Sequence, residues 1–206
     1  GHSRDFCDHA RDNLEDIIEK YIELGFAWVG ITEHVPPPTD VLRYPDEIEK
    51  AVSAAFLQER FARYIQRCRQ LQTKYREKLT VFVGFETETW NGYLSYIQEI
   101  IQRFRPDYVV GSVHHVDDHC IDYSSQMYQD AARAMGGMDA LYRRYFDLQH
   151  DMLCTVKPAV AGHFDLIRIF DADYEARLKK PEIWQCILRN LTCIKSLGTA
   201  LDFNLR

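Results

Sequence analysis

The chain has 206 residues, 46% of them apolar and 27% charged, the balance of a soluble globular protein long enough to bury one sizeable core. Its formal net charge of −6 argues against a nucleic-acid partner, because backbone phosphates select basic surfaces. No stretch approaches the roughly 18 apolar residues of a membrane span, residues 1–10 lack the apolar centre of a secretory signal, and six cysteines without a C-x-x-C pair read as reduced thiols of a cytosolic protein.

In chain order, Asn13 to Glu23 carries an apolar stripe at Leu14, Ile17, Ile18, Tyr21 and Ile22 and is closed by Gly25, which predicts a helix. Phe26 to Thr32 is a short run of β-formers, and Val35 to Tyr44, with three consecutive prolines, is the most loop-like stretch. A second helix is expected over Ala54 to Tyr75, with Phe56, Phe61, Tyr64, Ile65, Cys68 and Leu71 inward. Leu79 to Phe85 reads as a strand, Leu94 to Phe104 as a helix and Tyr108 to Val113 as a strand. Tyr128 to Cys154 is helical with a break at Gly136-Gly137, and Val156 to Ala161 is a strand interrupted by Pro158. Pro181 to Ser196 is a helix with proline in its first turn, and Thr199 to Phe203 a final strand. Alternation of helices with nearly continuous apolar strands indicates an α/β protein with a parallel sheet under helices. Open doubly wound sheets fit that pattern too.

Five segments end a predicted strand with a metal-type ligand or sit beside one: Phe6 to His9, Ile31 to His34, Val83 to Glu86, Val110 to His115 and Val160 to Asp165. One histidine at a strand end is more often a satisfied or exposed side chain than a ligand. Four strands ending at His34, Glu86, His114 and His163 are a different matter, and their spread along the chain favours a barrel whose strand ends build a polynuclear metal site. Carboxylate and imidazole donors without cysteine suit Zn, Mn or Fe. By strand alternation His115 should point away from His114. His119 and His150 read as surface residues, Glu88 as a supporting or solvated acid, and Cys7 as a small buried thiol.

The motif order H-S-x-D-F-C-x-H, T-E-H-x-P, G-F-E, G-S-V-H-H and G-H-F-D-L resembles the polymerase-and-histidinol-phosphatase (PHP) superfamily. Within it the chain is similar to the monofunctional histidinol-phosphate phosphatases, in their fungal-like branch, through Gly111 to Val116 followed by Ile121-Asp122, through Lys157 to Leu166, and through Arg189-Asn190-Leu191. That resemblance implies a distorted (β/α)7 barrel forming one domain over residues 1–206, with up to three divalent ions. It implies hydrolysis of L-histidinol phosphate to L-histidinol and phosphate in histidine biosynthesis. It implies His2, His9, His34, Glu86, His114 and His163 as metal ligands. Arg168 would grip the substrate phosphate through its planar fork, and Glu33 could assist the leaving group. The expected chemistry is in-line attack by an activated water, with metals and Arg168 stabilising the phosphoryl charge.

The first histidine of the family's opening H-x-H and its late D-x-H pair have no counterpart here, so a barrel incomplete at both ends is expected. Two other readings stay open at this point: a PHP-type phosphodiesterase or nuclease, and a non-catalytic PHP-like module with a degraded metal site.

Overall fold

The computed structural model describes residues 2–6 and 10–202, and these divide into two compact units. The first comprises 1–86 with 100–109, the second 87–99 with 110–206. Five strands form one sheet in the order β1-β2-β3-β6-β7: β1 is Trp28–Ile31, β2 Thr80–Glu86, β3 Tyr108–Gly111, β6 Val160–Ala161 and β7 Ala200–Leu201. β3 is divided at Val109, its first half in the first unit and its second half in the second. The parallel pairing and the helices between strands are the α/β architecture that the alternation of elements indicates. Among the described residues no helix is long and apolar enough to cross a membrane.

In the first unit, α1 (Leu14–Glu23) buries Leu14 and Ile18, and its first N–H is received by the Asp5 carboxylate at 2.8 Å. A short 3-10 turn, Asp40–Leu42, and α2, Pro45–Glu49, follow the proline run. α3 (Ala54–Tyr75) begins on Ser53, whose side chain accepts the Phe56 N–H, and buries Leu57, Phe61, Tyr64, Ile65, Cys68 and Leu71. Phe56 does not share that stripe. It is 46% exposed, with the Arg63 guanidinium over its ring, because it lies about 140° around the helix from Phe61 at 3.6 residues per turn.

β1 and β2 pair in parallel with Ile31 opposite Val83. The same offset continues past the end of β1, and His34 bridges Glu86. The Tyr64 hydroxyl lies 3.0 Å from the Ile31 carbonyl and 2.7 Å from that of Gly84, fastening α3 under both strands. Burial, with Cys68 and Glu33 nearby, holds this phenol well above its ordinary range, so it stays a donor. Tyr108 lies over Gly30 and Gly84, and a Cβ at Gly84 would sit 2.6 Å from its ring. Glycine there is a requirement of close approach.

Asp107 anchors the entry to β3. Its carboxylate accepts from Arg69 at 2.7 Å, Gln72 at 2.9 Å and the Val83 N–H at 2.8 Å. Burial would raise its pKa, but these donors outweigh burial and hold it below the ordinary carboxylate value. A depressed folded-state pKa means its contribution is complete above the unfolded value and is lost as pH falls through the folded one. Discounted for solvent screening at this exposed site, Asp107→Asn should cost about 1 kcal/mol near neutral pH. In urea denaturation the gap between variant and wild type should close as the pH is lowered into the acid range.

In the second unit, Val110 and Gly111 of β3 pair with Val160 and Ala161, and these pair in turn with Ala200 and Leu201. The span expected as a strand from Val156 is shorter. α6 (Met138–Val156) runs through Val156, Lys157 caps it in the left-handed conformation, and Pro158 has no N–H to give a ladder. The Gly136-Gly137 break is present, with φ of 85° and 130°, between α5 (Ser125–Ala134) and α6. A hairpin not foreseen from the sequence follows β3: β4 (His115–Val116) returns as β5 (His119–Cys120) through Asp117 and Asp118, both at positive φ.

α7 (Tyr174–Leu178) and α8 (Pro181–Leu197) complete the unit. Its core joins α5, α6 and α8 through Tyr128, Tyr142, Tyr145, Phe146, Ile183 and Ile187. Asn190, fully buried, donates to the Phe146 carbonyl at 2.8 Å and to Gln149 at 3.0 Å, while Gln149 donates to the Phe164 carbonyl at 3.0 Å. The chain just after His163 is held by that relay.

Candidate metal centre

The first unit brings His2, His34 and Glu86 together, with one ligand atom from each within 4.8 Å of the others. The His2 and His34 rings stack at 4.6 Å and 13°, and His2 Nε2 lies 3.8 Å from the Glu86 carboxylate. His34 and Glu86 owe their position to the continued β1–β2 register: the Glu86 N–H donates to the Glu33 carbonyl, and the Val35 N–H to the Glu86 carbonyl, both at 2.9 Å. Glu33, 4% exposed, accepts the Ser3 N–H at 2.8 Å through one oxygen and lies 3.0 Å from His2 Nδ1 through the other. A carboxylate on Nδ1 fixes the ring and turns Nε2 toward Glu86 as the nitrogen that could coordinate.

The second unit holds a related arrangement. Thr87 and Thr89 knit the segment after β2 to the one after β3: Thr87 Oγ1 donates to the Ser112 carbonyl at 3.0 Å, and Thr89 Oγ1 to that of His115 at 2.8 Å. The acid between them, Glu88, therefore meets the two histidines. Its Oε2 is 3.1 Å from His114 Nδ1 and 3.2 Å from His115 Nδ1, and His114 Nε2 is 3.2 Å from His163 Nε2. Two imidazole nitrogens on one tetrahedral Zn, each at 2.0–2.1 Å, would be about 3.3 Å apart. The separation thus fits a divalent cation between His114 and His163, with the Glu88 carboxylate close to His114. His163 sits at φ 21°, a sparsely populated backbone conformation.

Glu88 is not a solvated acid. It is 1% exposed and serves two histidines. His115 is not turned away from His114's partner either, since strand alternation does not apply where β3 has ended at Gly111 and β4 begins at His115. It is buried, with Trp90 edge-on to its ring. In the sequence the signal for Glu88 was the E-x-E pair that it forms with the strand-end Glu86. His119 is half-buried with Nδ1 near the Asp117 carbonyl. Arg168 closes a 3-10 turn, Leu166–Arg168, donating to Asp165 at 2.6 Å beside the Tyr174 ring. His9 and Cys7 lie outside the described residues.

The PHP domain family matches residues 1–206. A probable histidinol-phosphatase of Schizosaccharomyces pombe is 32% identical over 207 residues, covering 98% of this chain and 67% of that protein. The histidinol-phosphatase of Saccharomyces cerevisiae is 26% identical, covering 98% and 70%. Among solved structures, a Listeria monocytogenes protein assigned as a histidinol phosphatase superposes with a TM-score of 0.80 at 23% identity, over 98% of this chain and 80% of that one. A Lactococcus lactis histidinol phosphate phosphatase, solved with zinc, L-histidinol and phosphate, gives 0.65 at 19% identity, over 97% and 69%. These likenesses define the class, a PHP-type metal-dependent hydrolase fold. The chain belongs to the PHP domain family and, within it, to the histidinol-phosphatases.

Proposed function

We propose that this protein is a metal-dependent phosphomonoesterase that hydrolyses L-histidinol phosphate to L-histidinol and phosphate, in the cytosol, as a step of histidine biosynthesis. The observation that carries the reading is the Glu88–His114–His163 chain of contacts in a member of the histidinol-phosphatase family. His2, His34 and Glu86 in the first unit and His114 and His163 in the second are the proposed cation holders, and such cations would supply positive charge to a phosphoryl group and acidify an attacking water. Zn, Mn and Fe all suit these donors. His9 is proposed as a further ligand on the family resemblance.

The chain's own groups have separable tasks. Glu88 orients His115 through a hydrogen bond to Nδ1 and sets negative charge 3.1 Å from His114 Nδ1, and Glu33 orients His2. Glu33 is occupied by Ser3 and His2, which supports a positioning role over proton delivery to the leaving group. Arg168 is assigned to the substrate phosphate, where its fork would exchange Asp165 for phosphoryl oxygens.

Glu33→Gln keeps the shape of the side chain but loses its charge. We expect turnover to fall on the order of 10–100-fold, with metal content restored at higher added metal. Undiminished turnover at limiting metal would remove Glu33 from the site.

The substrate test is phosphate release from L-histidinol phosphate beside a panel of other phosphomonoesters and a nucleotide diester, with Zn or Mn supplied. Preference for histidinol phosphate is expected. Turnover of the diester alone would replace the proposal with a phosphodiesterase.

A further inference from the structure

A second ligand cluster lies on two helices of the second unit. His150 and Cys154 are four residues apart and share a face of α6 in its last two turns. Cys193 approaches from α8. The Cys154 sulfur is 3.8 Å from that of Cys193 and 3.7 Å from His150 Nε2, and one ligand atom from each of the three lies within 4.8 Å of the others. Both thiols are free, with Cys154 exposed and Cys193 partly so.

Those separations match the edges of a coordination tetrahedron. With Zn–S at 2.3 Å and Zn–N at 2.0–2.1 Å, the S···S edge is about 3.8 Å and the S···N edge about 3.6 Å. A disulfide would instead require the sulfurs to close to about 2.05 Å. Two thiolates and one imidazole are soft donors, unlike the imidazole and carboxylate sets of the metal centre. We propose that His150, Cys154 and Cys193 bind one Zn2+ or similarly soft cation, with a solvent molecule in the fourth position. Each thiol releases its proton to solvent on binding, so two thiolates neutralise the dication. The bound ion clamps the last turn of α6 to α8, and its exposure makes it exchangeable.

The test uses the full chain with its other metals in place, titrated with Co2+. Wild type should show the thiolate-to-cobalt charge-transfer band and the visible absorption of a tetrahedral centre. The double variant C154S/C193S should lose the thiolate band and bind one equivalent less, with phosphate release unchanged. H150A should bind on the order of tenfold or more weakly. Identical spectra and metal content in wild type and C154S/C193S would overturn the proposal. So would a Cys154–Cys193 disulfide found by peptide mapping of the metal-supplied protein.

Discussion

His114→Ala should lower phosphate release from L-histidinol phosphate by on the order of 10³-fold or more, with the fold retained. One imidazole faces two partners here, Glu88 through Nδ1 and His163 through Nε2. Its loss removes the nitrogen proposed to coordinate and takes one imidazole from beside the Glu88 carboxylate, which is 1% exposed. Electrostatic groups aimed at a transferring phosphoryl group are worth several kcal/mol, and each 1.36 kcal/mol is tenfold in rate. His114 also sits at 2% exposure, so a cavity cost of about 2–3 kcal/mol in stability is expected beside the kinetic loss. Assay temperature must stay below the variant's melting point. A comparison with His119→Ala, in the hairpin beyond His114, separates the two effects: it should leave turnover within about twofold. Equal losses in both variants would mean that the segment, rather than the His114 imidazole, matters.

Much of this organisation could be read from residue types. α3, α4 (Tyr93–Phe104) and α8 fall within a residue or two of their apolar stripes and caps. Glu86 closes β2, and His34, His114 and His163 follow the ends of β1, β3 and β6 in the chain, as their motifs indicate. What escaped was set by tertiary pairing. The β4–β5 hairpin turns on two aspartates at positive φ, with Asp117 gripped by Arg144 and Asp118 by Asn91; Asp-Asp is a weaker turn signal than Asn-Gly. His115 departs from the alternation expected of a strand because β3 ends at Gly111, and of the two roles open to Glu88 its 1% exposure leaves the supporting one. Asn190, visible only as part of a family-like triplet, has its reason in the Phe146 carbonyl and Gln149.

Chelation should abolish turnover, and Zn or Mn added back should restore it. The loss should exceed that of any single positioning variant, because both ligand sets lose their charge at once. The physical ground is the convergence itself: His2 stacked on His34 beside Glu86, and His114 Nε2 within 3.2 Å of His163 Nε2. Cation binding stabilises the native state by about 2.7 kcal/mol when free metal is a hundred times its Kd, so the melting temperature should rise with added metal as activity returns. C154S/C193S resolves the two contributions. In that variant the α6–α8 clamp is gone, whereas the imidazole and carboxylate sets are intact. Metal should still restore its activity and part of its thermal gain. If activity survives exhaustive chelation, with metal content confirmed near zero, the convergent imidazoles are structural, and the phosphatase assignment loses its chemistry.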